Sequence, residues 1–129
     1  DRARVFQAAE AALVEAEAFA ATKPEAPTSG CSGGVCAIPN GAPPWETNTN
    51  FWNNGGASIL AQARADGVTT RYVIEFLGVS TGASDDCTTG GDVSPDAHCD
   101  METSRYRVTV RSISDTQAEV LLQSNFLAP

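Results

Sequence analysis

Basic residues are scarce in this chain: eight lysines and arginines stand against sixteen aspartates and glutamates, a formal net charge of −8. Binding nucleic-acid phosphates needs a basic face, so the shortage argues against DNA or RNA as a partner and equally against an anionic membrane surface. Long hydrophobic runs are missing too. No stretch reaches the roughly eighteen consecutive apolar residues of a membrane span, and the first residues lack the basic-then-apolar pattern of a secretory leader. His98 is the single histidine. A hydrolase would have to recruit it with Ser94 and Asp96 or Asp100 from one irregular loop, with neither a G-x-S-x-G elbow nor an oxyanion-hole signature. The pairs Gly33-Gly34, Gly55-Gly56 and Gly90-Gly91 lack the lysine and the strand-to-helix setting of a phosphate loop, and read as turns. The chain is expected to be no enzyme and to use no cofactor.

What is present suffices for one domain: 129 residues, 42% hydrophobic, support a modest single core. The first 22 residues read as an alanine-rich helix. At 100° per residue, Val5, Phe6, Ala9, Ala12, Leu13, Ala16 and Phe19 or Ala20 share one broad stripe. Ala8, Ala11, Val14, Ala18 and Ala21 punctuate the opposite side among Arg4, Gln7, Glu10, Glu15 and Glu17. Small side chains there admit a neighbouring helix at close range. The helix is therefore expected to bury one face at home and offer the other, with Phe6, Ala8, Ala11, Leu13, Val14 and Ala18 as the interface residues. Pro24 and Pro27 stop it, and Lys23 complements its negative end.

Residues 23–53 read as an ordered loop, and residues 54–66 as a short helix through Ala57-Ser58-Ile59-Leu60, ended by Asp66-Gly67. Trp45, Phe51 and Trp52 could form a sugar-stacking platform, but more simply they cover the end of a small core. Three alternating strands follow, at 70–79, 105–113 and 117–126. Tyr72, Ile74 and Phe76 form one inward set, Tyr106, Val108 and Val110 the next, and Ala118, Val120, Leu122 and Phe126 the last. Arg105, Arg107 and Arg111 make an outward row. Matching inward residues demands an odd loop, expected at Ser114-Asp115-Thr116, with Arg111 opposite Glu119 and Val110 opposite Val120. Ile74 should face Val108, with Glu75 beside Arg107. The fold class is α+β: a long N-terminal helix packed on an antiparallel β-meander whose other face stays wet.

Cys31, Cys36, Cys87 and Cys99 suggest two disulfides and an oxidising compartment. Three connectivities exist; Cys31–Cys36 and Cys87–Cys99 each close a flexible segment locally and are the expected pairs. Intervals of four and eleven residues suit zinc poorly. The inserted loop at 80–104 either carries recognition or is merely solvated and variable. Asp85, Asp86, Asp92, Asp96, Asp100 and Glu102 could supply calcium ligands, but their spacing fits no EF-hand and no metal is expected. As a recognition surface the loop would act through Asp85, Asp86, Asp92, Asp96, His98 and Asp100.

The run Phe6-Gln7-Ala8-Ala9-Glu10-Ala11-Ala12-Leu13 resembles the segment that follows the membrane-spanning half of the first helix in PilX-type minor pilins of type IV pili. Trp45, the Phe51-Trp52 pair, Tyr72-Val73-Ile74-Glu75, Tyr106-Arg107-Val108-Thr109 and Val120-Leu121-Leu122-Gln123-Ser124 are similar, in order, to the rest of that pattern. The upstream part is absent, and the segment from Ser80 to Thr103 matches none of it. The resemblance implies a type IV pilin-like fold and a subunit that joins other minor pilins at the pilus tip, primes polymerisation of the major pilin and connects to a tip adhesin. It also implies a leader and roughly twenty apolar residues before Asp1, so that the membrane is met only through that missing helix half. The expected location is the inner membrane with a periplasmic domain, then the pilus at the cell surface. A minor pseudopilin of type II secretion and an extracellular carbohydrate-binding module are the alternatives.

Overall fold

The computed structural model describes residues 2–38, 41–47, 51–53, 57–62, 65–82 and 101–129. The opening forms helix α1, Arg2–Ala21. Val5, Ala9, Ala12, Ala16 and Ala20 lie at helical spacing and are fully buried, so the inward seam is one valine and four methyl groups. Side chains this short let the helix axis approach the sheet closely. The bulk of the core comes from the sheet instead, through Tyr72, Ile74, Tyr106, Val108 and Val110, with Leu13 and Phe19 packed at its margin. Centring the buried arc on the alanines corrects two expectations: Phe6 falls beyond its edge and is 43% exposed, whereas Ala8 falls inside it and is buried. At the C-terminal end the N–H groups of Thr22 and Lys23 close onto the carbonyls of Phe19 and Ala20 at 3.0 and 2.9 Å. Lys23 is left-handed at φ 54°, and Pro24 prevents a further turn.

Among the described residues six strands form one sheet: β1 Cys31–Ser32, β2 Val35–Cys36, β3 Ile59–Leu60, β4 Val68–Gly82, β5 Met101–Ser114 and β6 Glu119–Ala128. Their order is β1-β2-β4-β5-β6, with β3 also on β4. β4, β5 and β6 are the expected antiparallel meander with β5 central, and Ile74 faces Val108 while Glu75 faces Arg107. The β5–β6 turn has the odd parity that matching faces require, but sits one residue later than expected. Ser114 N–H bonds the Ala118 carbonyl at 2.9 Å around residues 115–117, Gln117 takes φ 70°, and Val120 consequently faces Ser112 while Arg111 faces Leu121. β4 and β5 also run further than expected, pairing Ser80 with Thr103 and Gly82 with Met101. Between Phe76 and Gly78 the register shifts by a bulge at Leu77, with Gly78 at φ 108°.

Three further expectations are corrected. The sheet is mixed, because β2 docks parallel to β4, Val35 beside Ile74 and Cys36 beside Glu75. The short helix of residues 54–66 is not formed: Ile59 and Leu60 are strand β3, facing Tyr72 and Arg71. A helix that short gains little against its nucleation cost, whereas the edge of β4 offers unpaired backbone groups and Ile59 a strand-suited side chain. The back face of the sheet is not wet. Cys36, Phe51, Trp52 and Ala57 pack on Val73 there, with Trp45 and Cys31 at the margin. The loop of residues 23–53 supplies this second layer through the β1–β2 hairpin, helix α2 (Pro44–Thr47) and a 3₁₀ turn at Phe51–Asn53. The aromatic trio is thus a lid, laid over a sheet face rather than over the end of the core. No helix among the described residues is long and apolar enough to cross a membrane.

Candidate assembly surfaces

The alanine seam fixes how α1 sits, and polar clasps along its flanks fix its rotation. Arg4 Nη2 donates to the Asp66 carbonyl at 2.7 Å. The Glu15 carboxylate accepts the Gln62 N–H at 3.0 and 3.1 Å and is also hydrogen-bonded to Tyr72. Burial first, then this carboxylate, push the Tyr72 phenol up to about 12. Ser124 Oγ donates to Glu17 at 2.9 Å. Glu15 and Glu17, assigned by the sequence to the outward side, therefore bind α1 to β4 and β6. Of the interface residues the sequence nominates, Phe6, Ala11, Val14 and Ala18 remain exposed, Leu13 is half-buried against the core and Ala8 is turned inward. Val14, 68% exposed, is the most open of the large apolar side chains among the described residues.

On the back face, Glu75 is the organising residue. It is completely buried, held by Arg107 through Nε at 3.0 Å and Nη2 at 2.7 Å, and by Trp45 Nε1 at 2.9 Å. The carboxylate ties the lid to the sheet with charge-assisted bonds. Its bond raises the affinity of the Arg107 guanidinium for its proton, offset in part by burial. The Glu75–Arg107 neighbourhood is legible from strand alternation. The Trp45 bond is not, although a lone carboxylate between Ile74 and Phe76, near an aromatic-rich loop, is the signal that could have found it.

The Cys31–Cys36 disulfide is formed, joining ladder partners of the β1–β2 hairpin. Cys87, Cys99 and the loop candidates Asp85, Asp86, Asp92, Asp96, His98 and Asp100 lie outside the described residues. Among the described residues no group of three or more His, Cys, Asp or Glu could hold a metal ion.

Among the described residues, a long helix laid on one face of a mixed sheet whose other face is covered by loop segments defines an α+β domain. The chain belongs to the PilX family: residues 20–128 match the family described as type IV pilus assembly protein PilX, C-terminal part. The match begins at the end of α1 and takes in every strand. Comparison with curated proteins and with solved structures gave no match.

Proposed function

We propose that this protein is a non-enzymatic minor pilin subunit that takes part in type IV pilus assembly, priming polymerisation within a minor pilin complex at the pilus tip. The observation that carries the reading is the family match over residues 20–128, joined to a helix whose outward side presents Phe6, Ala11, Val14 and Ala18. Its partners are other minor pilins, the major pilin and a tip adhesin, and its location is the periplasmic side of the inner membrane before assembly and the pilus afterwards. The helix side packs against helices of neighbouring subunits, where alanines allow close backbone approach. The inserted loop, through Asp85, Asp86, Asp92, Asp96, His98 and Asp100, supplies selectivity toward heads or adhesin.

Replacing Ala11 or Ala18 by glutamate tests this. Both sites are exposed, and the exchange costs the helix only a few tenths of a kcal/mol, so the isolated domain should keep its melting temperature while cells carrying the change lose surface pili. Normal piliation by electron microscopy would sink the helix-bundling role.

A further inference from the structure

Two arginines face each other on the back of the sheet. Arg71 of β4 and Arg111 of β5 are register partners, and with Trp52, Asn53, Thr69 and Ile113 they line a cavity of about 340 Å³. Like charges directly opposite on neighbouring strands repel. The chain has twice as many acids as bases, yet among the described residues only one of the two arginines is paired with a carboxylate. Arg111 Nε donates to the Glu119 carboxylate. Arg71 donates Nε and Nη2 to the hydroxyl and carbonyl of Ser58, at 2.7 and 3.1 Å, and both acceptors are neutral. Among the described residues Arg71 has no carboxylate, and Nη1 of Arg71 and both terminal nitrogens of Arg111 have no acceptor. The guanidinium of Arg71 is nevertheless held firmly, because Ser58 is 1% exposed. The cavity adjoins a second recess of about 410 Å³ that shares Trp52, Asn53 and Arg111 and reaches Trp45 and Leu121.

We propose that this cavity is an anion site that takes the carboxylate of an acidic side chain on a neighbouring pilus subunit. Two half-buried guanidiniums present N–H donors in the fork geometry that fits a carboxylate, and the Trp52 indole walls one side against water. The strand register that would otherwise leave net repulsion becomes favourable once an anion sits between the arginines. On a body of charge −8 it is also a local place where another acidic surface can come close. Naming the source as a pilus subunit rests on the assembly role proposed above; the anion site itself does not.

The full chain is titrated with N-acetylglutamate amide, and separately with N-acetylglutamine amide, glucuronate and inorganic phosphate, while the Trp52 indole N–H and the arginine Nε–H signals are followed by NMR. Saturable shifts with the glutamate probe and none with the glutamine probe are expected. Arg71→Gln should weaken binding about tenfold, as loss of a charged hydrogen-bonding partner does, and Glu119→Gln, which removes the competing carboxylate, should tighten it. Absence of saturable shifts, equal response to both amides, or no tightening in Glu119→Gln would overturn the site. Capture of other pilus subunits by the Arg71→Gln chain then decides the source. Weakened capture supports the subunit carboxylate. Unchanged capture, or tighter binding of glucuronate or phosphate than of the glutamate probe, overturns it in favour of a free anion and leaves the assembly role to stand or fall on the Ala11 and Ala18 variants.

Discussion

Glu75 shows how much one side chain can settle. A carboxylate with no exposure and three donors is tolerable only while its partners stay in place, since the desolvation of a buried charge far exceeds the net gain of an ordinary hydrogen bond. Glu75→Gln should cost about 3 kcal/mol in denaturant unfolding, the lower end for a broken buried pair because the Arg107 side chain keeps 25% exposure. It should also increase the solvent quenching of Trp45. Tyr72 gives a pH-dependent counterpart. Its folded-state phenol is pushed up to about 12 from 10, so the folded protein holds that proton more tightly. The stability so gained is complete below pH 10 and is lost as pH rises through 12. Tyr72→Phe should therefore flatten the fall in stability between pH 10 and 12, measured by urea unfolding along a pH series; an unchanged slope would place the titration elsewhere. Strand alternation made Tyr72 and Glu75 legible as opposite-facing residues. It could not reveal that Glu15 reaches Tyr72 or that Trp45 reaches Glu75, because those bonds join elements 57 and 30 positions apart whose juxtaposition only the tertiary fold creates.

At the scale of elements, what was legible is what has a period. The helix and the three long strands carry apolar spacing over many residues, and the Ile74–Val108 pairing follows from it. The two-residue strands do not, since β2 and β3 are strands only by virtue of the β4 edge beside them. The hairpin that delivers β2 depends on Gly33 and Gly34, at φ 60° and 83°, the pair of left-handed conformations of a two-residue turn. Gly34 has a second constraint: a Cβ there would collide with Ile59 Cδ1 and Cγ1. Its carbonyl meanwhile accepts the Ile74 N–H at 2.9 Å. Gly34→Ala should lower stability by about 2 kcal/mol, combining strained backbone with a displaced Ile59. Gly33→Ala, which meets open space, should cost less; equal losses in thermal melts would mean the crowding at Ile59 is relieved without penalty. The Cys31–Cys36 pair is expected from the sequence, but nothing there shows that the segment it closes is a hairpin that joins the sheet.

For the whole molecule, the family match supports a role in type IV pilus assembly, and the glutamate variants of Ala11 and Ala18 probe the helix packing proposed for it without touching the core. On the helix, the exposure of Ala11, Val14 and Ala18 was legible, because outward residues follow from the same period as inward ones; Ala8 and Leu13 proved to be turned toward the core and Phe6 lay outside the inward stripe, since the rotation of the helix depends on the alanine seam and its polar clasps. The sheet meanwhile has unlike ends. At one side it finishes in β1, two residues long and covalently stapled to its neighbour; at the other, among the described residues, it finishes in β6, ten residues long with Leu121 and Leu127 about half exposed or more. Such a body has a direction. Copies or relatives that meet it side by side, one end against the other, make a heterologous contact, which closes into a ring or extends as a helix according to the rotation between successive copies.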